Sequence, residues 1–183
     1  MARRHEIVEV AGALLEQHGP DGVTMRAIAD VIGIRAPSLY KHIANKHELE
    51  VALIADGFVQ QAEAFEKALA QDVTAPALAV AAAYRTWALE HQHLYRMMND
   101  QPLPRDELPQ GIEERPVGLV LEAFAGDRDR ARAAWAFAHG MVTLELADRF
   151  PPDADIAVTW RIGIESIVAG LDQTPIDTKE DEA

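Results

Sequence analysis

Between Thr24 and Ile43 the chain carries two short apolar patterns of helical period with only a glycine-centred turn between them, and that spacing leaves few ways to fold. Thr24 is suited to cap a helix over Met25–Ile32, with Val23 and Ile28 at the positions of a hydrophobic staple. Gly33 ends that helix. Pro37 fits the first turn of a short helix that follows, where its missing N–H would be an orphan anyway, and Leu39 and Ile43 point inward. Two helices joined by a turn of about 3–4 residues cross closely only where small residues meet. Ala29, Gly33, Ile34 and Leu39 supply that arrangement, with Ala36 as the implied N-cap of the second helix, a poor cap. Upstream, Ile7, Val10, Ala11, Leu14 and Leu15 make an amphipathic stripe that Gly19 and Pro20 stop. Residues 1–47 are therefore expected to form a three-helix unit containing a helix-turn-helix.

The remaining chain reads as helix throughout, for an all-α total of about nine helices. Leu49 to Leu69 predicts a long helix, Ala75 to His91 an Ala-rich one, Leu94 to Met98 a short one, and Glu113 to Phe124 another. Asn99 to Gly111, with three prolines, reads as a loop. Two final helices, about Arg128 to Arg149 and Asp155 to Leu171, flank Pro151-Pro152. The first is apolar on more than one face and holds Gly140 in mid-helix, at a cost of about 1 kcal/mol relative to Ala. A helix apolar nearly all round must be buried nearly all round. A two-fold four-helix interface through Phe137, Met141, Leu144, Trp160, Ile164 and Ile167 would account for both features. The expected organisation is a head at 1–47, a helical dimerising body at 48–172 and a flexible acidic tail at 173–183.

Composition removes several classes of function. The absence of cysteine excludes disulfides, thiolate metal sites and a cysteine nucleophile. The segment after Met-Ala-Arg-Arg is punctuated by Glu6, Glu9 and Glu16, unlike a signal peptide, and the least polar stretch is far short of a membrane span. A soluble cytoplasmic protein without membrane contact is expected. The net charge of −13 is unevenly placed. Residues 1–47 hold six Lys and Arg against five acids, whereas the rest holds 11 against 25. Because non-specific DNA affinity comes from phosphate neutralisation, an acidic body would leave only the head free to touch a duplex.

Residues Thr24 to Ile34, Ala36 to Ile43 and Asn45-Lys46 resemble the signature of the TetR family, whose members are dimeric DNA-binding regulators of transcription. Trp135, His139, Gly140 and Leu144-Glu145 resemble the Trp-His-Gly pattern of one group of that family's C-terminal domains, and His91 to Tyr95 resembles a helix junction of the same group, where Pro is more usual than Gln92. The resemblance implies that the helix around Pro37–His42 enters the major groove, as recognition helices do. Pro37, Ser38, Tyr40, Lys41 and His42 would then meet the duplex, with Thr24 and Arg35 beside them. Tyr40 could donate to a phosphate or press on a thymine methyl, and Ser38 could bond a phosphate. Arg26 and Lys46 point to DNA on energetic grounds as well. Each falls in the first turn of a helix, where a cation is disfavoured by about 0.3–1 kcal/mol unless an anion sits there too.

The resemblance also implies a homodimer on a palindromic operator, by family habit a repressor, released by a small-molecule effector. Trp87, His91, Tyr95, Met98 and His139 are the candidate effector-contacting residues. An architectural or cell-cycle DNA binder of the same fold without an effector is the alternative. An enzyme would have to rest on Glu90-x-x-His93, a single copy of a motif that di-iron bundles use twice, so no catalysis, metal or cofactor is expected.

Overall fold

A computed structural model describes residues 2–170. Leu171 and the expected acidic tail at 173–183 lie outside them. Among the described residues there are nine α-helices and no strand. They are α1 (Ala2–His18), α2 (Met25–Ile32), α3 (Ala36–Leu39), α4 (Lys46–Gln71), α5 (Pro76–Glu90), α6 (Gln92–Asn99), α7 (Glu114–Ala123), α8 (Arg128–Leu146) and α9 (Ile156–Ala169). The loop read between α6 and α7 contains one 3-10 turn, Arg105–Glu107.

In the head, α1, α2 and α3 close over Ile7, Ala11, Leu15, Ile28, Ala29, Leu39 and Ile43, all nearly or wholly without solvent contact. The Thr24 side chain accepts from the Ala27 N–H at 3.0 Å and so caps α2 as its sequence requires. Gly33 ends α2 at φ 75°, and the Ile34 N–H returns to the Ala29 carbonyl at 2.9 Å. One expectation needs correction. Gly33 was read as a small residue at a close crossing, yet a methyl group added there would meet nothing within 4 Å. Its requirement is the left-handed backbone, and the small residue inside the crossing is Ala29.

The body hangs on α4, whose 26 residues span about 39 Å. Asn45 caps it by accepting from the Glu48 N–H at 2.8 Å. Lys46 begins α4, so the expected boundary at 47/48 falls inside a continuous helix. Gly57 lets α6 lie directly on α4: a Cβ there would collide with the Met98 sulfur and stand 3.4 Å from Leu94. α5 packs between α4 and the α8–α9 pair and buries Tyr84 and Trp87. α8 meets α9 where the Phe137 ring occupies the space a side chain at Gly163 would need. Between α5, α8 and α9 lies a polar knot. Arg85 makes two donations to Glu145 at 2.6 and 2.9 Å, and the Trp160 indole N–H donates to the same carboxylate at 2.7 Å. Glu145 thereby satisfies two partners from two different helices in an otherwise apolar seam.

Candidate nucleic-acid interface

The turn after α3 is held from behind. Leu39 and Ile43 are fully buried, four residues apart, so the segment between them is forced outward. The recognition segment is shorter as α-helix than its sequence suggests: α3 ends at Leu39, and Tyr40–His42 form a turn closed by His42 N–H and Ile43 N–H donations to the Leu39 carbonyl at 2.8 and 3.0 Å. The N-cap is Arg35 rather than Ala36, and its side chain makes no capping bond, so the amides at the start of α3 have no side-chain partner.

All nine residues expected to meet DNA are exposed: Thr24, Arg26, Arg35, Pro37, Ser38, Tyr40, Lys41, His42 and Lys46. Tyr40 is 51% exposed, a large aromatic on the outer side of the turn. Thr24 has its hydroxyl oxygen committed to the α2 cap. Arg26 and Lys46 are held only loosely, each 3.9 Å from the carboxylate four residues on, Asp30 and Glu50. Such exposed pairs contribute little and leave both cations available to another anion.

Arg4 was not anticipated. Its guanidinium donates to the His42 carbonyl at 2.9 Å and pairs with Glu48, whose other oxygen accepts the Ala44 N–H at 2.7 Å. Arg4 and the Ala44 N–H hold the Glu48 carboxyl below the usual carboxylate range. One side chain from the first turn of the protein thus pins the turn that carries Tyr40. Nothing local in the sequence signals a contact 38 residues apart.

Glu16 was also missed. From α1 its two carboxylate oxygens accept the first amides of α6, Leu94 N–H at 2.8 Å and His93 N–H at 3.2 Å. A carboxylate at a helix N-terminus is favourable for both the free N–H groups and the helix dipole. It joins head to body. A second joint is ionic: His47 at the start of α4 bonds Glu107 at 2.8 Å, in the loop between α6 and α7. The Glu107 carboxylate raises the His47 imidazole above its ordinary value of 6.5, through the hydrogen bond first and the charge second. A group raised in the folded state stabilises fully below its unfolded pKa and loses that contribution as pH rises through the folded value. The His47–Glu107 joint is therefore expected to hold below about pH 6.5 and to release above the raised value. Titrating the His47 ring by NMR should show the raised pKa, and Glu107→Gln should return it to the ordinary range; an unchanged value in that variant would remove the ionic joint.

The body holds an open cavity of about 720 Å³ between α4, α6, α7 and α8. Of the five candidate effector-contacting residues only Met98 lines it. The others serve the core. The Trp87 N–H donates to Gln60 at 3.3 Å and the Trp87 ring packs on His91. Tyr95 takes a hydrogen bond from Tyr84 at 3.3 Å and shares one with His139 Nδ1 at 2.7 Å. Burial, above all else, pushes both phenols up, so both remain protonated as donors. The cavity walls come instead from Phe58 and Phe65 of α4, Val117 and Val120 of α7, and Arg128 and Trp135 of α8. Among the described residues no group of three or more His, Cys, Asp or Glu could hold a metal. The helix break at His91 separates Glu90 from His93.

The expected dimer set divides. Met141, Trp160 and Ile164 are buried within one chain, against α5 and the α8–α9 seam. Phe137 and Ile167 are half-buried, and Leu144 is 42% exposed. The large apolar residues left facing solvent on these helices are Trp135 and Leu144 of α8 with Val158, Ile162 and Val168 of α9. Gly140, read as a site of close backbone approach, has nothing within 4 Å of the place its Cβ would take.

Comparison with known proteins agrees with this architecture. A family model described as "Bacterial regulatory proteins, tetR family" matches residues 7–53, and one described as "Tetracyclin repressor-like, C-terminal domain" matches residues 77–167. Together they take in about three quarters of the chain. An uncharacterised HTH-type transcriptional regulator of Mycobacterium tuberculosis is 28% identical over 93% of this chain and 82% of its own length. The class D tetracycline repressor protein of Escherichia coli is 41% identical, over 31% of this chain and 27% of the repressor. Among solved structures, a Rhodococcus protein of unknown function superposes with a TM-score of 0.74 at 25% identity, covering 93% of this chain and 95% of that one. The multidrug binding protein EbrR, complexed with imidazole, shares the fold at a TM-score of 0.68 and 21% identity, over 94% and 97% of the two chains. The protein belongs to the TetR family: it is a helix-turn-helix, DNA-binding regulator of transcription. No described helix is long and apolar enough to cross a membrane.

Proposed function

We propose that the protein is a homodimeric repressor that binds a palindromic operator through the α2–α3 face and leaves it when a small molecule fills the body cavity. The observation that carries the DNA side is the outward Tyr40–His42 turn, set between the fully buried Leu39 and Ile43. In this reading Tyr40 and Ser38 bond phosphates or bases, Pro37 makes apolar contact, Arg35, Lys41 and His42 flank the groove, and Arg26 and Lys46 neutralise phosphates at the starts of α2 and α4. Repression follows the tetracycline repressor that is 41% identical over 31% of this chain.

A second copy on the exposed α8–α9 face supports the dimer. It would cover Leu144, Val158, Ile162 and Val168 and bring a backbone against Gly140, whose Cβ position meets no other described element within 4 Å. Paired heads could then address half-sites about 34–36 Å apart. For the effector, a cavity of about 720 Å³ falls within the range of small-molecule sites, roughly 300–1,000 Å³. A ligand that favours a different head spacing weakens DNA binding by its coupling energy, about 1–3 kcal/mol.

The test is footprinting on the DNA flanking the protein's own gene. Tyr40→Ala and Lys46→Ala are each expected to cost about 1.5–3 kcal/mol, roughly ten- to a hundredfold in affinity, if each loses one charge-assisted bond to phosphate. The dimer should be unaffected, since both side chains are exposed and outside the body. Full protection of the same sites by both variants would sink the assignment.

A further inference from the structure

We propose that the effector is an amphipathic anion, with a bulky apolar body inside the cavity and a carboxylate or comparable anionic head at its mouth; this deepens the ligand-controlled reading above and rests on it. The inside of the cavity is aromatic and aliphatic, with Phe58, Phe65, Tyr84 and Val120 in its walls. Gln61 is the exception. It is 7% exposed and lines the cavity. Its amide can donate to or accept from a polar atom on the ligand body.

The mouth has a different character. Arg128 and Arg132 stand one turn apart on α8, so both guanidinium groups lie on the same side of that helix. Arg128 has no ion-pair partner among the described residues. Arg132 is held at 3.0 Å by Asp129, both well exposed, a contact weak enough to yield. The remaining charges of the wall, Arg105 and Glu113, pair with each other at 3.3 Å and cancel. The mouth is therefore cationic in a chain whose net charge is −13. A planar guanidinium fork suits a carboxylate or phosphate, which accepts two parallel N–H bonds. A cationic ligand would instead have to take Glu113 from Arg105 while facing two further arginines.

The inference is tested with three probes that share one apolar body: pyrenebutyrate, pyrenebutanol and a pyrenebutyl-trimethylammonium salt. Full-length protein is titrated with each, following pyrene fluorescence, and release of operator DNA is read by anisotropy. Pyrenebutyrate should bind at least about tenfold more tightly than either analogue, as one charge-assisted bond predicts. The double variant Arg128→Ala, Arg132→Ala should remove that advantage and leave pyrenebutanol binding unchanged, which also shows that the cavity survives. Equal or tighter binding of the alcohol or the cation, or unchanged pyrenebutyrate binding in the double variant, overturns the anion. Should the alcohol or the cation bind and release DNA, the anionic head falls while ligand control stands. Should pyrenebutyrate bind through the arginines without releasing DNA, the anion site stands and ligand control falls.

Discussion

A chain carrying Ile162→Arg is expected to sediment as a folded monomer and to bind operator DNA at least about a hundredfold more weakly than the natural protein. Ile162 is 56% exposed on α9, so the larger, charged side chain has room and the core of the single chain is untouched. What it meets is the face against which a second copy would pack. A guanidinium forced between Leu144, Val158 and Val168 of two chains would be desolvated without a carboxylate to accept it, unlike Arg161 on the same helix, which has Glu165 3.8 Å away. The effect on DNA is indirect and large because two linked heads bind a two-part site with a gain of about 10²–10⁴ over one. Analytical ultracentrifugation and circular dichroism separate the cases. A variant that remains dimeric with unchanged operator affinity would place the dimer on another surface.

The second large effect concerns the body alone. Glu145→Ala should lower stability by about 2–4 kcal/mol, because it leaves the Arg85 guanidinium and the Trp160 N–H, both packed in the α5–α8–α9 seam, without an acceptor. For a chain of this size that corresponds to a fall in Tm of roughly 5–15 °C. Glu145→Gln is the informative companion. It keeps an oxygen that can accept from Trp160 and loses the charge facing Arg85, so it should fall between Ala and the natural residue. If Gln proved as damaging as Ala, the charge on Glu145 would outweigh its acceptor role; if both were neutral, the network would carry no stability.

Local signals in the sequence carried much of the head. Thr24, Gly33 and the staple of Val23 and Ile28 act within one or two turns of the chain, and α2 has the bounds those residues predict. The α3 segment was read less well, because α3 is only four residues long and its start depends on packing against α2 rather than on a cap. Helix periodicity also found α8 and α9, but it could not say which neighbour each face meets. α8 has three: the core takes Ala134, Ala138, Met141 and Val142, the cavity takes Arg128 and Trp135, and Leu144 stays in solvent. An apolar stripe looks the same in all three settings. The aromatic residues of α5 and α6 misled for a related reason. Trp87 and Tyr95 carry polar atoms that suit a ligand, yet Gln60 and His139 already satisfy them, and these partners lie 27 and 44 residues away. Arg4 and Glu16 likewise act across long separations, which no motif records.

The Glu16 carboxylate sets the mechanical character of the joint between the two halves. Both of its bonds are made by one rigid, planar group to consecutive amides. A slight tilt of α1 over α6 stretches them together and keeps both; a slide of an ångström or so breaks both at once and bares two helix-end donors. The joint between reading head and cavity is therefore expected to hold or to release both bonds together.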